Sequence, residues 1–485
     1  MKVVIEKFTV FIRSPHFPGY ILLCISYLPG VLRENFYSDD FPALIETNST
    51  ALNLVSDTRP VWGAGLLLFF SLAKFAGFYV LPKVVGFLGL LFLYRYTCTL
   101  FQKSDSPRAH NLIVAVGFLL PSFGIWSHWS TSLLHSWGAL LGLIAYENFK
   151  DRWRVLSIIT MSISCLIYPP ATVFFFGVIF YRGIVLRRSN SELLSELLLA
   201  LKLIMVAGSF ALIFAFSLIS ILGISPTSRV SIINFSAFPH KLIWFFSHPF
   251  ALGFFPASVH SPSFLQLVLI GLPISLSIIF LILNGAELKK VETLVRFELL
   301  FIFAILSIIP LLLSRDNQIE LRLTPGISWA IFCTSLYGIF DISKRLLNRG
   351  YRLVSGILSL ILITFLIFGV LQRFQTFYLY QDQFSTDFIV KSIRICEQNG
   401  NLQSISIREN TTAFPIMPYL GTFSMTSDMA SNWVPIDKTI FVLQRYFPNY
   451  TKIPVLLNSE SSDTCNIYLE DFVRLIISTK RTSLL

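Results

Sequence analysis

The residues able to do chemistry gather in a few short stretches between the apolar runs of this chain. The stretch "YSDD" ends in adjacent carboxylates, Asp39 and Asp40. Neighbouring side chains diverge, by about 100° on a helix or to opposite faces of a strand. One of the pair can therefore face a reactant while the other orients a neighbour. A single carboxylate in a cleft can act as the general base that takes a proton from an acceptor hydroxyl. On pattern alone, the plainer reading of "YSDDF" is a solvated turn with an aspartate capping the short helix that follows.

Arg59 in "DTRP" and Arg322 in "IELRLTP", with Arg315 seven residues earlier, sit beside apolar runs. There a guanidinium's planar fork suits a lipid phosphate, while Asp57 and Glu320 offer ordinary ion pairing instead. The stretch "SFGIWSHWSTSLLHSWGALLG" sets Trp126, His128, Trp129, His135 and Trp137 among hydroxyls. Exposed indole beside hydroxyl and imidazole suits a sugar ring, with its apolar face and polar rim. An aromatic belt at a membrane interface has the same composition. His128 and His135 are expected to share a helix face. No third ligand stands near them, so no metal site is expected. No cofactor is expected either. The chain has no Walker-type glycine loop, Gly-X-Ser-X-Gly, His-Glu-X-X-His or nucleotide-binding glycine turn. The energy for any reaction must arrive stored in the substrate, as in a lipid-linked phosphate ester.

The elements that position these residues are apolar. Of 485 residues, 54% are hydrophobic and 13% charged, against about 25% charged in soluble domains. Mean hydropathy is +0.68, and apolar runs near 20 residues recur throughout, each long enough to span a bilayer. The formal charge of +11 comes from small Lys/Arg clusters beside these runs. That is the pattern of topology and anionic headgroups, not of nucleic-acid binding. The apolar run after "MKVVIEKFTVFIRSPHF" lacks a small-residue cleavage site and reads as a retained first helix.

Spans are expected at about 17–33, 79–97, 109–126, 133–147, 155–167, 169–181, 201–223, 264–284, 297–313, 325–341 and 353–371. The run around Tyr168-Pro169-Pro170 reads as a hairpin inside the bundle. It puts eleven Lys/Arg in the loops 182–202, 285–296 and 342–352, against four in the opposing loops. Residues 61–77 read as a helix lying along the interface, with Lys74 snorkelling. The N-terminus is then cytoplasmic, and the loop 34–60 and everything after about 372 are extracytoplasmic. The fold class expected is an all-α polytopic membrane protein of about eleven membrane segments with a small C-terminal extracytoplasmic α/β domain. Its parts are 1–371 and 372–485, with strands in "LQSISI", "KTIFVL" and "CNIYLEDF". Cys396 and Cys465 of that domain can form a disulfide in an oxidising compartment or stay as buried thiols. No Cys-X-X-Cys occurs.

A first helix followed by "YSDD" and, about twenty residues on, "DTRPVWGAGL" resembles the bacterial and phage glucosyltransferase II family, the serotype-converting O-antigen glucosyltransferases. Length, "LIYPPA" and "YLGTFSMTSDMASNW" add to the likeness, which is strongest over residues 37–66. Thr58 stands where that family tends to glycine, and Tyr168-Pro169 where Tyr-Gln is usual. The resemblance implies a GT-C type fold in a bacterial inner membrane, with the active site at the periplasmic face. It implies a donor of undecaprenyl-phosphate-glucose and an acceptor of lipid-linked O-antigen polysaccharide. A companion flippase and a donor-synthesising glucosyltransferase are the partners implied. It also implies inversion at the anomeric carbon, with Asp39 as base and Asp40 as its partner or alternative. Arg59 and Arg322, supported by Arg315, would steady the leaving phosphate. Trp126, His128, Trp129, His135 and Tyr168 would line the substrate site.

Two rivals remain open at this point. One is an O-antigen polymerase or a transferase of another lipid-linked sugar, although polymerases carry their large loop in mid-chain. The other is a lipid-sugar flippase or transporter, which should show inverted repeats and ionisable groups at mid-membrane.

Overall fold

The computed structural model describes residues 14–36, 40–102, 107–150, 153–186, 188–227, 233–247, 290–313, 325–346, 381–398, 403–408, 434–457 and 464–468. The described residues are mostly helical with one small sheet. Asp39, Arg315 and Arg322 lie outside the described residues, as do the spans expected at 264–284 and 353–371.

Helix α1 (Phe17–Val31) begins with a proline in its first turn, where the missing N–H costs nothing. The expected loop 34–60 is itself largely helical: α2 (Asp40–Ile45) and α3 (Thr47–Ser56) fold within it. Helix α4 (Pro60–Ala76) starts on a proline and stops at Gly77, whose φ of 62° is left-handed. These bounds lie within a residue of the helix read from sequence. Lys74 on it donates to Thr47 Oγ1 at 2.7 Å, so it ties α4 to α3 rather than simply snorkelling.

Next come α5 (Leu81–Thr99), α6 (Pro107–Gly117) and α7 (Pro121–His128). The single span expected over 109–126 is therefore broken, with a 71° bend between α6 and α7. Pro121 lacks the N–H that a continuous helix would need there. A short 3-10 turn (Ser130–Ser132) leads into α8 (His135–Lys150). Helix α9 (Arg154–Ile167) ends at Tyr168, extended at φ −160° and ψ 101°. Beyond that break follow α10 (Pro169–Thr172) and α11 (Phe174–Val185).

Helix α12 (Asn190–Leu222) is 33 residues long and starts eleven residues before the expected span. Its start is a capping box: Ser189 Oγ accepts from the Glu192 N–H, and the Glu192 carboxylate accepts from the Ser189 N–H. The expected loop 182–202 is thus mostly helix, and "SNSE" carried the signal. Among the described residues α12 is the one helix long and apolar enough by itself to cross a membrane. The bent pair α6–α7 is a second if it counts as one span. The remaining helices of this part are α13 (Phe238–Ser247), α14 (Lys290–Leu306), α15 (Ile309–Leu313) and α16 (Pro325–Leu346). An aromatic-rich core joins most of them, with Tyr27, Tyr94, Phe118, Phe174, Tyr181 and Trp329 buried at its centre.

The C-terminal part contains α17 (Gln381–Gln398), β1 (Ser404–Arg408), α18 (Val434–Tyr446), β2 (Val455–Leu457) and β3 (Thr464–Tyr468). The strands form a parallel sheet in the order β2-β1-β3. Strands fall in "SISI" and "CNIY", but "KTIFVL" is helix α18. Its buried residues, Lys438, Thr439, Val442 and Leu443, recur at three and four, the helical spacing. A disulfide joins Cys396 of α17 to Cys465 of β3 beside the apolar core of this unit.

Candidate active site

The 3-10 turn Ser130–Ser132 is the hinge of the site. On one side its backbone N–H groups meet Asp40. Thr131 donates to Asp40 Oδ1 at 2.9 Å and Ser130 to Oδ2 at 3.4 Å. Asp40 is fully buried. It opens α2 within the helix rather than standing in a solvated turn. On the other side of the turn, Thr131 O accepts the indole N–H of Trp62 at 2.7 Å.

Trp62 belongs to an aromatic cluster with His135 and Tyr168. The ring centroids lie 4.6 Å apart for Trp62–His135, 5.5 Å for Trp62–Tyr168 and 4.0 Å for His135–Tyr168. The Arg59 guanidinium sits over two of these rings, 5.4 Å from Trp62 and 5.2 Å from Tyr168. Its carboxylate contact with Asp57 is looser, at 3.8 Å. Arg59 and Trp62, His135, and Tyr168 come from three separate stretches of the sequence and meet around one turn.

Local backbone explains how Arg59 gets there. Thr58 adopts φ 63°, the left-handed region that L-residues with branched side chains enter at a cost of about 1–2 kcal/mol. This is the position at which the resembled family tends to glycine. The reversal ends α3 and starts α4, turning Arg59 back toward Tyr168. Gly86 makes the other close approach. A Cβ there would lie 2.6 Å from Trp126 O, so glycine lets α5 pack against the end of α7.

Polar groups collect at the turn. Among the described residues the hydroxyls of Ser130, Thr131 and Ser132 and the indole N–H of Trp126 are buried without a hydrogen-bond partner. Leaving such a group unmet costs about 1–3 kcal/mol, and native proteins keep few of them. Trp126 and Trp129 are buried, not exposed as a sugar platform or an interfacial belt would be. His128 and His135 do not share a helix face, because the turn between α7 and α8 separates them. His128 Nε2 donates to Tyr27 O at 3.4 Å. His135 Nδ1 donates to Ser132 O at 2.9 Å, which fixes the proton on that nitrogen because a carbonyl only accepts.

Besides Trp62 and the hydroxyls of the turn, three charged residues of the neighbourhood escaped the reading from sequence. Lys83, one turn into α5, is buried and donates to Arg33 O at 2.8 Å and Asn35 Oδ1 at 2.6 Å. A lone lysine within an apolar helix was the available signal. Asp382 and Lys438 come from the C-terminal part. Asp382 Oδ2 accepts the N–H of Phe36 at 3.1 Å, and Lys438 Nζ donates to Asp382 Oδ1 at 3.1 Å. Lys438 also lies 4.6 Å from the Phe41 ring, and Arg445 pairs with Glu34 at 2.9 Å. Phe441 packs against Phe36 and Phe41. Helices α17 and α18 therefore clasp the chain on both sides of "YSDD".

No protein-family profile, curated protein or solved structure matches the chain. Among the described residues no group of His, Cys, Asp and Glu is arranged to hold a metal ion. What the site can do chemically follows from its own parts: the buried Asp40 carboxylate, a guanidinium on aromatic faces, and a row of buried hydroxyls.

Proposed function

We propose that this protein is a multi-pass GT-C type glycosyltransferase of a bacterial inner membrane. It moves glucose, with inversion, from undecaprenyl-phosphate-glucose to a hydroxyl of lipid-linked O-antigen at the periplasmic face. One observation carries the proposal: a single turn has the YSDD carboxylate on one side and the Arg59–Trp62–Tyr168–His135 cluster on the other. An inverting transfer needs a base for the acceptor hydroxyl near a cation for the departing phosphate, and Asp40 ties to the turn the segment whose neighbouring carboxylate would be that base.

In this reading Asp40 is the positioning residue, since its carboxylate is buried against backbone N–H groups of the turn. Asp39, whose side chain must diverge from that of Asp40, is the base. Its carboxylate takes the acceptor proton as the sugar oxygen attacks the anomeric carbon and the lipid phosphate leaves with the bonding pair. Arg59 meets the phosphate, joined by Arg322 and Arg315. The buried hydroxyls of 130–132 and the Trp126 N–H answer the many hydroxyls of a sugar, and Tyr168 and His135 wall the site. Eleven spans, an N-terminus in the cytoplasm and a periplasmic C-terminal domain complete the proposed topology. A flippase and a donor-synthesising glucosyltransferase would supply the donor.

The test is transfer by the purified protein from undecaprenyl-phosphate-glucose to lipid-linked O-antigen. Asp39→Asn should abolish turnover with normal expression. Asp40→Asn should lower kcat while leaving the acid limb of the pH profile in place. Full turnover by Asp39→Asn would remove the base assignment, and a cytoplasmic signal from a reporter fused after residue 390 would remove the topology.

A further inference from the structure

A second charged cluster, remote in sequence from YSDD, joins the end of α8 to the start of α12. Glu196 Oε1 accepts from Lys150 Nζ at 2.9 Å, Arg182 Nη2 at 2.9 Å and Arg188 Nη1 at 2.5 Å. Its other oxygen, Oε2, accepts nothing among the described residues, although Glu196 is only 6% exposed. A carboxylate has room for about four hydrogen bonds. Glu196 lines a surface cavity of about 340 Å³ together with Lys150, Arg188, Glu192 and Ser195. A second cavity of about 460 Å³ shares Ser195 with it and is walled by Leu194, Leu198 and Lys202. Further along α12 the exposed side chains are mostly apolar, with Met205, Phe210 and Ile213 among them.

The lining describes its ligand. Cations and carboxylates share one end, and leucines form the other. A purely anionic headgroup would meet Glu192 and Glu196. A quaternary ammonium would have no proton to give Glu196 Oε2. A primary ammonium next to a phosphate meets both signs, and an attached acyl chain fits the leucines.

We propose that this groove binds a phospholipid whose headgroup carries both a phosphate and a primary ammonium, of the phosphatidylethanolamine class. Its phosphate faces Arg188 and Lys150, its ammonium donates to Glu196, and an acyl chain follows Leu194 and Leu198 along α12. Loop charge puts this end of the bundle at the cytoplasmic leaflet. The inference rests on the membrane reading above but not on sugar transfer.

Native mass spectrometry of the full chain, offered equal amounts of phosphatidylethanolamine, phosphatidylcholine and phosphatidylglycerol with matched acyl chains, tests it. One phosphatidylethanolamine should stay bound, preferred about tenfold over either competitor, a difference well within the reach of one charged contact. Ser195→Phe fills the space common to both cavities from an exposed position and should bring retention down to that of the competitors. Equal retention of the three lipids, a preference for phosphatidylglycerol, or unchanged retention in Ser195→Phe would overturn the site. Binding of free glycerophosphoethanolamine without the lipid would overturn it too. A chain that stays soluble without detergent would instead remove the membrane reading beneath it.

Discussion

Arg59 and Arg182 are both arginines set into an apolar bundle, and the molecule handles them in opposite ways. Arg182 is held by its edge. Its two terminal nitrogens donate to Glu147 at 2.8 Å and Glu196 at 2.9 Å, and its side chain is 5% exposed. Arg59 has rings on its faces, Trp62 and Tyr168, with the Asp57 carboxylate at 3.8 Å, and its side chain is 19% exposed. The edge of a guanidinium is what recognises carboxylate or phosphate. An arginine bound by its edge neutralises buried carboxylates and keeps helices in register. An arginine stacked on rings and partly exposed stays within reach of an anion from outside. The difference separates a structural cluster from a candidate catalytic one within one chain.

The sharpest way to break this contrast is to remove each arginine. Arg182→Ala takes the closer of two cations from Glu147 and one of three from Glu196, and removing a partner from a buried ion pair costs up to about 3–5 kcal/mol. Thermal unfolding in detergent should show that loss. Arg59→Ala should leave the unfolding transition nearly unchanged and slow sugar transfer by about a hundredfold, the equivalent of about 3 kcal/mol at the transition state. If Arg59→Ala unfolds the protein as Arg182→Ala does, the distinction collapses.

Smaller effects sharpen the picture. Thr58→Gly should keep Arg59 where it is and change stability by less than about 1 kcal/mol, because the relieved left-handed strain is offset by the chain entropy of glycine and the lost hydroxyl contact to Asp57 O. Thr58→Val should lower both stability and transfer, because the hydroxyl contact to Asp57 O is lost and the strain stays. The smallest effect concerns Asp437 of α18. Burial, then the charge of Glu46 across the clasp, raises its pKa from 3.8 to about 6. A carboxyl whose pKa is raised on folding stabilises the folded form when protonated. That contribution is lost as pH rises from about 4 through about 6. Thermal unfolding followed from pH 5 to pH 8 should show the clasp weakening with pH in the wild type, and less so in Asp437→Asn.

Much of this could be read in the residues, and the misses have physical causes. Pro60 and Gly77 marked both ends of α4, since one lacks an N–H and the other tolerates positive φ. "SNSE" marked the start of α12 equally well, but the charges around it suggested a loop. "KTIFVL" looked like a strand because its β-branched and aromatic residues suit either state over six positions. Only the wider window, from Ile436 to Phe447, shows the helical period. The pairing of His128 with His135 assumed a continuous helix that the 3-10 turn interrupts. At the site, the residue types were legible at Asp40, Arg59, His135 and Tyr168. The turn that unites them was not, because backbone N–H groups have no letter in the sequence. Lys83, Asp382 and Lys438 were missed for a related reason: each acts on a stretch distant in the chain.

That distance has a consequence for how the protein is made. The N–H of Phe36 and the carboxylate of Asp382 are 346 residues apart. At about 5–20 residues per second, the second partner leaves the ribosome roughly 20–70 s after the first. Until then the segment bearing the acidic pair lacks its clasp. A chain that stalls, or is cut before α17, never closes it, so the site is completed only by a finished molecule.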